Sequence, residues 1–263
     1  MNDTALKSSV RMNRSVQRIV SLLKMLAQDR QGMTVSELAS STGLPESTVY
    51  RLLQTLSSEG MAERAADGSG RYRMGLEMFR LGSVVLDRLG VGQNVLSDLE
   101  ELASLTGETV NLGALHGFNV LYLQKVESRQ TLRASLTVGS ATVPAHCSAS
   151  GKVLLAFSPA RRLEHLLDTN ALMRSGPNTI TDRERLMSEL QRIREDGYAI
   201  DNLEFAADIR AIGAPILDHT GAVVAGLAIA GPASRISLES AHDLAPSVMS
   251  MARRISAKLG YPG

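Results

Sequence analysis

The chain contains very little cysteine and few aromatic residues. Cys147 is the single cysteine, tryptophan is absent, and aromatic residues make up 3% of the 263 residues. One thiol excludes an internal disulfide and a cysteine-based zinc cluster, which is typical of a protein from the reducing cytoplasm. The core must therefore be built mainly from leucine, valine, isoleucine, alanine and methionine.

Long apolar runs are also missing. The longest, at 222–230, is too short to span a bilayer as a helix. The polar start, at 1–7, lacks the apolar run of a secretory signal. The histidines are scattered without the spacing of a metal site. We therefore expect a cytoplasmic protein with no membrane segment, no metal and no cofactor.

What is present indicates two folded domains. Apolar residues at 44% and charged residues at 21% are typical of a globular protein, and 263 residues can form two cores. Basic residues outnumber acidic ones in the first 75 residues, whereas the remainder is slightly acidic. Any polyanion would therefore bind to the first part of the chain.

Three amphipathic helices are predicted near the start. Apolar residues recur at helical spacing in 15–27 and again in 49–56. A second helix is predicted to begin at the capping box Thr34-Val35-Ser36-Glu37. A short turn containing Gly43 follows, and Pro45 suits the first position of the third helix. Two short helices around such a turn predict a helix-turn-helix.

Two short strands follow the third helix, at 61–64 and 71–74, around the turn-rich tip 67–70. On the second strand Tyr72 and Met74 alternate with Arg71 and Arg73. One face should therefore pack, while the other presents positive charge. This pattern predicts a wing whose arginines contact the phosphate backbone of DNA.

The outward face of the third helix carries polar side chains that can contact phosphates or base edges in a major groove. A winged helix that binds another protein is the alternative, but the face is polar rather than apolar, which favours DNA. The predicted DNA contacts are Ser36, Glu46, Ser47, Thr48, Tyr50, Arg51, Gln54, Arg71 and Arg73.

A further helix is predicted at 76–90, with apolar residues around much of its circumference. Such a helix must bury more than one side. Burial within one subunit is one solution. A contact between two subunits is the more economical one for a DNA-binding protein, because two half-sites need two copies.

The rest of the chain predicts an α+β domain with a mostly antiparallel sheet, which can hold a small molecule between one face and the covering loops. One predicted helix follows a capping box at 181–184. The predicted helices are 92–106, 149–157, 159–167, 184–195 and 238–259, and the predicted strands are 108–115, 120–126, 132–138, 209–217 and 223–230.

Several long segments resemble signatures of the IclR family of bacterial regulators. They are PAHCSASGKVLLA at 144–156, GYAID at 197–201, API at 214–216 and VAGLAIAGP at 224–232, and the resemblance runs from about Val16 to Leu259. It implies a winged helix-turn-helix, a linker helix used in dimerisation and a GAF-like effector domain. It also implies a regulator, more typically a repressor, of a catabolic operon that binds operator DNA as a dimer or a dimer of dimers.

The resemblance also implies where the effector binds. The backbone amides of Ala149, Ser150 and Gly151 lie at a helix start, where they can hold a carboxylate. The other implied effector residues are Asn111, Asp201, Ala211, Ala228 and Ala230.

Three of these positions depart from the family pattern. The family often has cysteine at position 211 and serine at positions 228 and 230, where this chain has alanine. We therefore expect a larger, more apolar pocket and an organic acid with an apolar or aromatic body.

An enzyme is the alternative function, and no catalytic residues are predicted. His146 and Cys147 are adjacent, so in extended chain they point to opposite sides. Ser148 and Lys152 miss the Ser-x-x-Lys spacing. We expect four segments along the chain: a flexible tail at 1–13, the winged helix-turn-helix at 14–75, a linker helix at 76–91 and the effector domain at 92–263.

Overall fold

The computed structural model describes residues 13–29, 31–92, 95–134, 138–139 and 143–262. The chain forms two compact units, and the division between them falls between Val85 and Leu86. They are called the N-terminal unit and the C-terminal unit below. The predicted flexible tail falls almost wholly on residues 1–12, which lie outside the described part of the chain.

The N-terminal unit is a helix-turn-helix with a two-stranded wing. Helix α2 begins at the predicted capping box, since Thr34 Oγ1 accepts from Glu37 N and Glu37 Oε2 accepts from Thr34 N. It ends at Gly43, whose φ of 68° lies in the left-handed region. Pro45 is the residue before α3 rather than its first residue. The helices are α1 (Arg14–Leu26), α2 (Val35–Thr42) and α3 (Glu46–Ser58).

The wing consists of β1 (Ala62–Arg64) and β2 (Tyr72–Met74), which pair in antiparallel fashion. Tyr72 is buried in the same core as the inward faces of the three helices. Its backbone exchanges two hydrogen bonds with Met33, at 2.8 and 2.7 Å. Gly32 allows this approach, because a Cβ there would lie 2.6 Å from Tyr72 O. The wing is thus anchored to the segment that leads into α2.

Helix α4 (Leu76–Leu89) crosses the division between the units. It follows the prediction closely in extent, and none of its residues is buried against the described part of the chain. Leu76, Phe79 and Val84 are among its exposed apolar side chains.

The described part of the C-terminal unit contains one six-stranded sheet in which every neighbouring pair is antiparallel. The spatial order is β5-β4-β3-β8-β7-β6. The predicted strands 108–115, 120–126, 209–217 and 223–230 each agree with an observed strand to within two residues. The strands are β3 (Thr109–His116), β4 (Asn119–Val126), β5 (Val143–Pro144), β6 (Ala199–Asn202), β7 (Ile209–Leu217) and β8 (Val223–Pro232).

Helices cover both faces of this sheet, so the unit is α+β as predicted. One apolar core joins α5 and α9 to one side of the central strands. A second core joins α6, α7 and α8, together with β4 and β5. The helices are α5 (Leu96–Thr106), α6 (Ala149–Ala156), α7 (Ala160–Thr169), α8 (Arg183–Asp196) and α9 (Leu238–Lys258).

Two local predictions are wrong. No strand forms at 132–134, where Ala134 instead joins a buried cluster of alanines, and the rest of the predicted strand 132–138 includes residues outside the described part. The cap of α8 is Asp182, whose carboxylate accepts from Arg185 N at 2.8 Å, and not Thr181. The short strands β5 and β6 were not predicted, because each is stabilised by pairing with a longer strand.

Candidate functional site

The face of α3 that points away from the core carries the predicted DNA contacts. Val49, Leu53 and Leu56 are buried, because they lie on the inward side of the helix. The predicted contacts on the other side of α3 are exposed, except for Thr48, which is half-buried. Ser36, the predicted contact on α2, is also exposed. The exposed contacts of α3 are Glu46, Ser47, Tyr50, Arg51 and Gln54.

The α3 face and the wing are connected. Gln54 Nε2 donates to the hydroxyl of Tyr72 at 3.3 Å, which joins the last predicted contact of α3 to β2. Since Tyr72 is buried and anchored to Met33, the wing has a defined position beside α3. The N-terminal unit therefore presents α3 and the wing as one polar surface.

The two wing arginines have different surroundings. Arg71 is half-buried and donates two bonds to the Glu37 carboxylate, both at 3.1 Å, and a third to Gly32 O at 2.6 Å. The backbone amide of Thr34, together with Arg71, holds the pKa of Glu37 below its usual value. Arg73 is exposed and pairs with Glu63 at 2.7 Å. The guanidinium of Arg71 is thus positioned by the cap of α2.

In the C-terminal unit the predicted effector residues lie on one face of the sheet. Directly opposed residues in antiparallel strands share a face, and so do residues two apart along a strand. The structure therefore brings together Asn111, Asp201, Ala211, Ala228 and Ala230, all of them buried. The two rows across this face are Thr109, Ala230, Ala211 and Asp201, then Asn111, Ala228, Gly213 and Ala199.

The start of α6 packs directly on these rows. A Cβ on Gly213 would lie 2.8 Å from the carbonyl carbon of Ala149, and one on Gly226 would lie 2.8 Å from Ser150 O. Glycine at both positions therefore allows the helix to approach the sheet. Ala149, Ala211 and Ala230 form a buried cluster with Ala134. The crevice is our name for the region where this cluster meets the start of α6 and the two rows.

The predicted carboxylate-binding amides are not equivalent. Ser148 caps α6, and its Oγ accepts from Gly151 N at 3.3 Å. The amide of Gly151 is therefore already used by the cap, whereas Ala149 and Ser150 occupy the first two positions of the helix. Any anion at this helix start would be held chiefly by those first two amides.

Asp201 borders the crevice on β6. Its Oδ1 accepts from Glu204 N at 2.7 Å and from Phe205 N at 3.2 Å, and so closes the turn after the strand. That turn contains Leu203 at a φ of 60°, an uncommon conformation for a residue other than glycine. Burial raises the pKa of Asp201 to about 7, although the hydrogen bond from the Glu204 amide opposes this.

A fully buried lysine supports the same turn. Lys152 on α6 donates to Glu204 Oε1 at 2.5 Å, to Ile200 O at 2.7 Å and to Glu189 Oε1 at 3.1 Å. Glu204 Oε2 is buried without a hydrogen-bond partner among the described residues, and burial raises the pKa of that carboxyl group. Lys152 thus links the helix of the crevice to the Asp201 turn.

Sequence reasoning did not identify Lys152 and Glu204 as a pair. The available signal was a single lysine inside the run Gly151–Ala156, where every residue is buried. A lysine in such a run needs a buried acidic partner. The partner itself, 52 residues away, could not be read from the sequence.

The residues considered for catalysis do not form a catalytic pair. His146 Nε2 lies 3.0 Å from Met173 O, and its ring stacks on Phe118. Cys147 is buried, which raises the pKa of its thiol to about 12 and so disfavours the reactive thiolate. No group of three or more potential metal ligands is found in the described residues. In that same part of the chain, no helix is both long and apolar enough to cross a membrane.

Comparisons with known proteins agree with this architecture. Residues 15–66 match the IclR helix-turn-helix domain, and residues 83–257 match the bacterial transcriptional regulator IclR C-terminal domain. The HTH-type transcriptional regulator KdgR of Escherichia coli K12 is 34% identical over 247 residues, which cover 94% of this chain and 93% of that protein.

Solved structures of relatives contain the same two domains. The IclR protein of Thermotoga maritima is 34% identical, with a TM-score of 0.75, and the match covers 94% of this chain and 99% of that one. An IclR homologue from Microbacterium hydrocarbonoxydans, solved in complex with 4-hydroxybenzoate, is 28% identical with a TM-score of 0.80, over 93% and 98% of the two chains. The enzyme alternative has no support from these relatives. The chain belongs to the IclR family of bacterial transcriptional regulators, with a helix-turn-helix DNA-binding domain and an α+β effector-binding domain.

Proposed function

We propose that this regulator binds operator DNA in the cytoplasm as a homodimer and represses a catabolic operon until an organic acid enters the crevice. The observation that carries the proposal is the cluster of buried alanines beneath the start of α6, in a chain whose other unit is a helix-turn-helix. The acid has a sizeable apolar or aromatic body. Each element of this proposal has its own support.

Arg51 and Gln54 are the proposed base contacts, because both are exposed on the outward face of α3. Arg71 and Arg73 are the proposed phosphate contacts, since the wing lies beside that face. The remaining proposed contacts surround them and position the helix on the backbone of the DNA. They are Ser36, Glu46, Ser47, Thr48 and Tyr50.

The proposed dimer contact is α4. Leu76 is 82% exposed and Phe79 is 75% exposed in the single chain. Exposing this apolar surface to water is energetically unfavourable. A second copy of the same helix would cover it symmetrically and would bring two α3 helices to two half-sites. Two such dimers could pair on DNA as a dimer of dimers. The proposed boundaries of the four segments are 1–13, 14–75, 76–91 and 92–263.

The proposed effector binds with its carboxylate at the amides of Ala149 and Ser150, with Gly151 completing the first turn. Its apolar body packs on Ala211, Ala228 and Ala230, where each Å² of buried apolar surface contributes roughly 25 cal/mol. Asn111 and Asp201 flank this floor on β3 and β6. The complex of the Microbacterium homologue with 4-hydroxybenzoate supports an acid of this class.

The experiment is a binding titration of the full chain against DNA from its own upstream region, with and without a panel of aromatic and acyl acids. We expect Arg51→Ala to weaken specific binding by roughly 1–3 kcal/mol and to relax sequence preference. Arg73→Ala should weaken binding to all DNA and reduce its salt dependence. Arg162→Ala, an exposed arginine on α7, is the matched control.

Folded Arg51→Ala and Arg73→Ala variants that bind DNA like the parent would refute the DNA-binding surface. Tight binding of glyoxylate or pyruvate, with no response to the larger acids, would refute the effector class. The dimer is tested by sedimentation of the parent and of Phe79→Glu. A parent protein that is monomeric at micromolar concentration would refute the α4 contact.

A further inference from the structure

A lysine on β4 faces the crevice. Lys125 is directly opposite Asn111 of β3, and Asn111 is directly opposite Ala228 of β8. Directly opposed residues share a face, so the Lys125 side chain lies on the same side of the sheet as the alanine floor. Only 13% of this side chain is exposed. Most of the side chain is therefore covered by neighbouring residues.

Asn111, the neighbour of Lys125, has an unused acceptor. Its side chain is 1% exposed, and Oδ1 is buried without a hydrogen-bond partner in the described part of the chain. Buried acceptors of this kind are rare in folded proteins, because each has lost its bonds to water without replacement. The structure thus pairs a lysine on β4 with an asparagine on β3 whose carbonyl oxygen is unpaired in the described part of the chain.

The local charge around Lys125 is positive. Lys125 Nζ lies 2.6 Å from Glu127 Oε1, and Arg133 Nε lies 3.2 Å from the other oxygen of the same carboxylate. Two cations therefore share one anion. Ala134, the residue after Arg133, belongs to the buried alanine cluster.

We propose that Lys125 and Asn111 bind a hydroxyl group of the effector, which is then a hydroxy acid with its hydroxyl remote from its carboxylate. A hydroxyl group fits both neighbours at once, because it donates to Asn111 Oδ1 and accepts from Lys125 Nζ. An unsubstituted acid leaves Asn111 Oδ1 unpaired. A second carboxylate satisfies Lys125 but offers no donor to that oxygen.

The dimensions of the sheet agree with an effector in which a single ring or a short chain separates the carboxylate from the hydroxyl group. Gly213, which lies under the start of α6, and Asn111 belong to the same row and are separated by one intervening strand. Two strand spacings correspond to about 10 Å. This inference rests on the proposed function, in which the carboxylate binds at the start of α6.

The experiment is isothermal titration of the full-length protein with matched pairs of acids. The pairs are benzoate with 4-hydroxybenzoate and hexanoate with 6-hydroxyhexanoate, and benzene-1,4-dicarboxylate tests the second-carboxylate alternative. We expect the hydroxylated member to bind about 10- to 100-fold more tightly to the parent protein. Lys125→Met should remove this preference, so that the two members of each pair bind with similar affinity.

Two further variants distinguish a loss of the hydroxyl contact from a loss of folding. Lys125→Arg retains the charge and should keep part of the preference, whereas Asn111→Leu should lose it. Arg129, an exposed cation four residues after Lys125, provides the matched control, and Arg129→Met should bind both acids like the parent. Thermal melting by circular dichroism establishes that each variant is folded.

The outcomes separate the inference from the proposed function. The hydroxyl site is overturned if the parent binds both members of each pair with equal affinity. It is also overturned if Lys125→Met weakens the binding of both members equally. Either result leaves an acid-binding crevice. A preference for the dicarboxylate also overturns it. If no acid of the panel binds to the parent, the proposed effector class fails, and the hydroxyl site fails with it.

Discussion

Most of the predicted DNA contacts of the N-terminal unit are exposed, whereas Asp201, Lys152 and Glu204 beside the crevice of the C-terminal unit are buried. Arg51 faces solvent, while Lys152 is 0% exposed and has three bonds to protein oxygens. A surface that reads DNA must be accessible before binding. A site that encloses a small acid must hold its charged groups in the interior.

The difference has an energetic consequence. Removing an exposed side chain should weaken the DNA complex but leave the fold nearly unchanged, because surface substitutions change the free energy of unfolding only slightly. Removing a buried charge should affect the fold itself, because its partner stays behind without compensation. The predictions below test this contrast, beginning with the largest expected effect.

Lys152→Met should destabilise the C-terminal unit by about 3–5 kcal/mol, measured as the free energy of unfolding in urea. The substitution leaves Glu204 buried without its cation, and Glu189 loses one of its partners. The matched control is Arg183→Met, which breaks the exposed pair with Asp168 and should cost less than about 1 kcal/mol. Adding Glu204→Gln to Lys152→Met should recover part of the loss. An equal, small effect of both single variants would contradict the contrast.

The pH dependence of the free energy of unfolding should reveal the protonation of the Asp201 carboxyl group. Because burial raises its folded pKa to about 7, the folded chain holds a proton that the unfolded chain releases near pH 4. The contribution to stability is therefore fully present below about pH 4 and is lost as the pH rises through 7.

Asp201→Asn removes this titration but keeps an oxygen that can accept from Glu204 N and Phe205 N. Between pH 5 and pH 8 the parent should lose roughly 2–3 kcal/mol relative to the variant, at 1.36 kcal/mol per pKa unit. Urea denaturation of both proteins at the two pH values measures this difference. Parallel stability curves for parent and variant would refute the raised pKa.

Local signals in the sequence predicted the elements whose causes are local. The capping box at Thr34 and Glu37 predicted the start of α2, and the predicted strand 209–217 coincides with β7. The start of α8 was misassigned by one residue, because Thr181 and Asp182 can both cap a helix and only packing selects between them.

Pairing between distant parts of the chain could not be predicted. Strand β6 has four residues and depends on β7, so no periodicity reveals it. The family resemblance predicted Asp201, Ala211 and Ala228 as effector residues, and the structure places them on one face of the sheet. Lys125, the proposed hydroxyl contact, was not among the predicted residues, because its position opposite Asn111 depends on strand register.

The smallest expected effect concerns the cap of α2. Thr34→Ala removes the Oγ1 acceptor of Glu37 N and should destabilise the N-terminal unit by about 1 kcal/mol. Thr34→Ser retains an acceptor and is the matched control.

Because the Glu37 carboxylate also holds Arg71, loosening the cap should weaken DNA binding in Thr34→Ala more than in Thr34→Ser. The fold should otherwise persist, since the core around Leu38 and Leu53 is untouched. Thermal melting and DNA titration of the two variants measure both effects. A loss of stability as large as that of Lys152→Met would mean that the exposed polar groups of the N-terminal unit support its fold as strongly as the buried groups support the crevice.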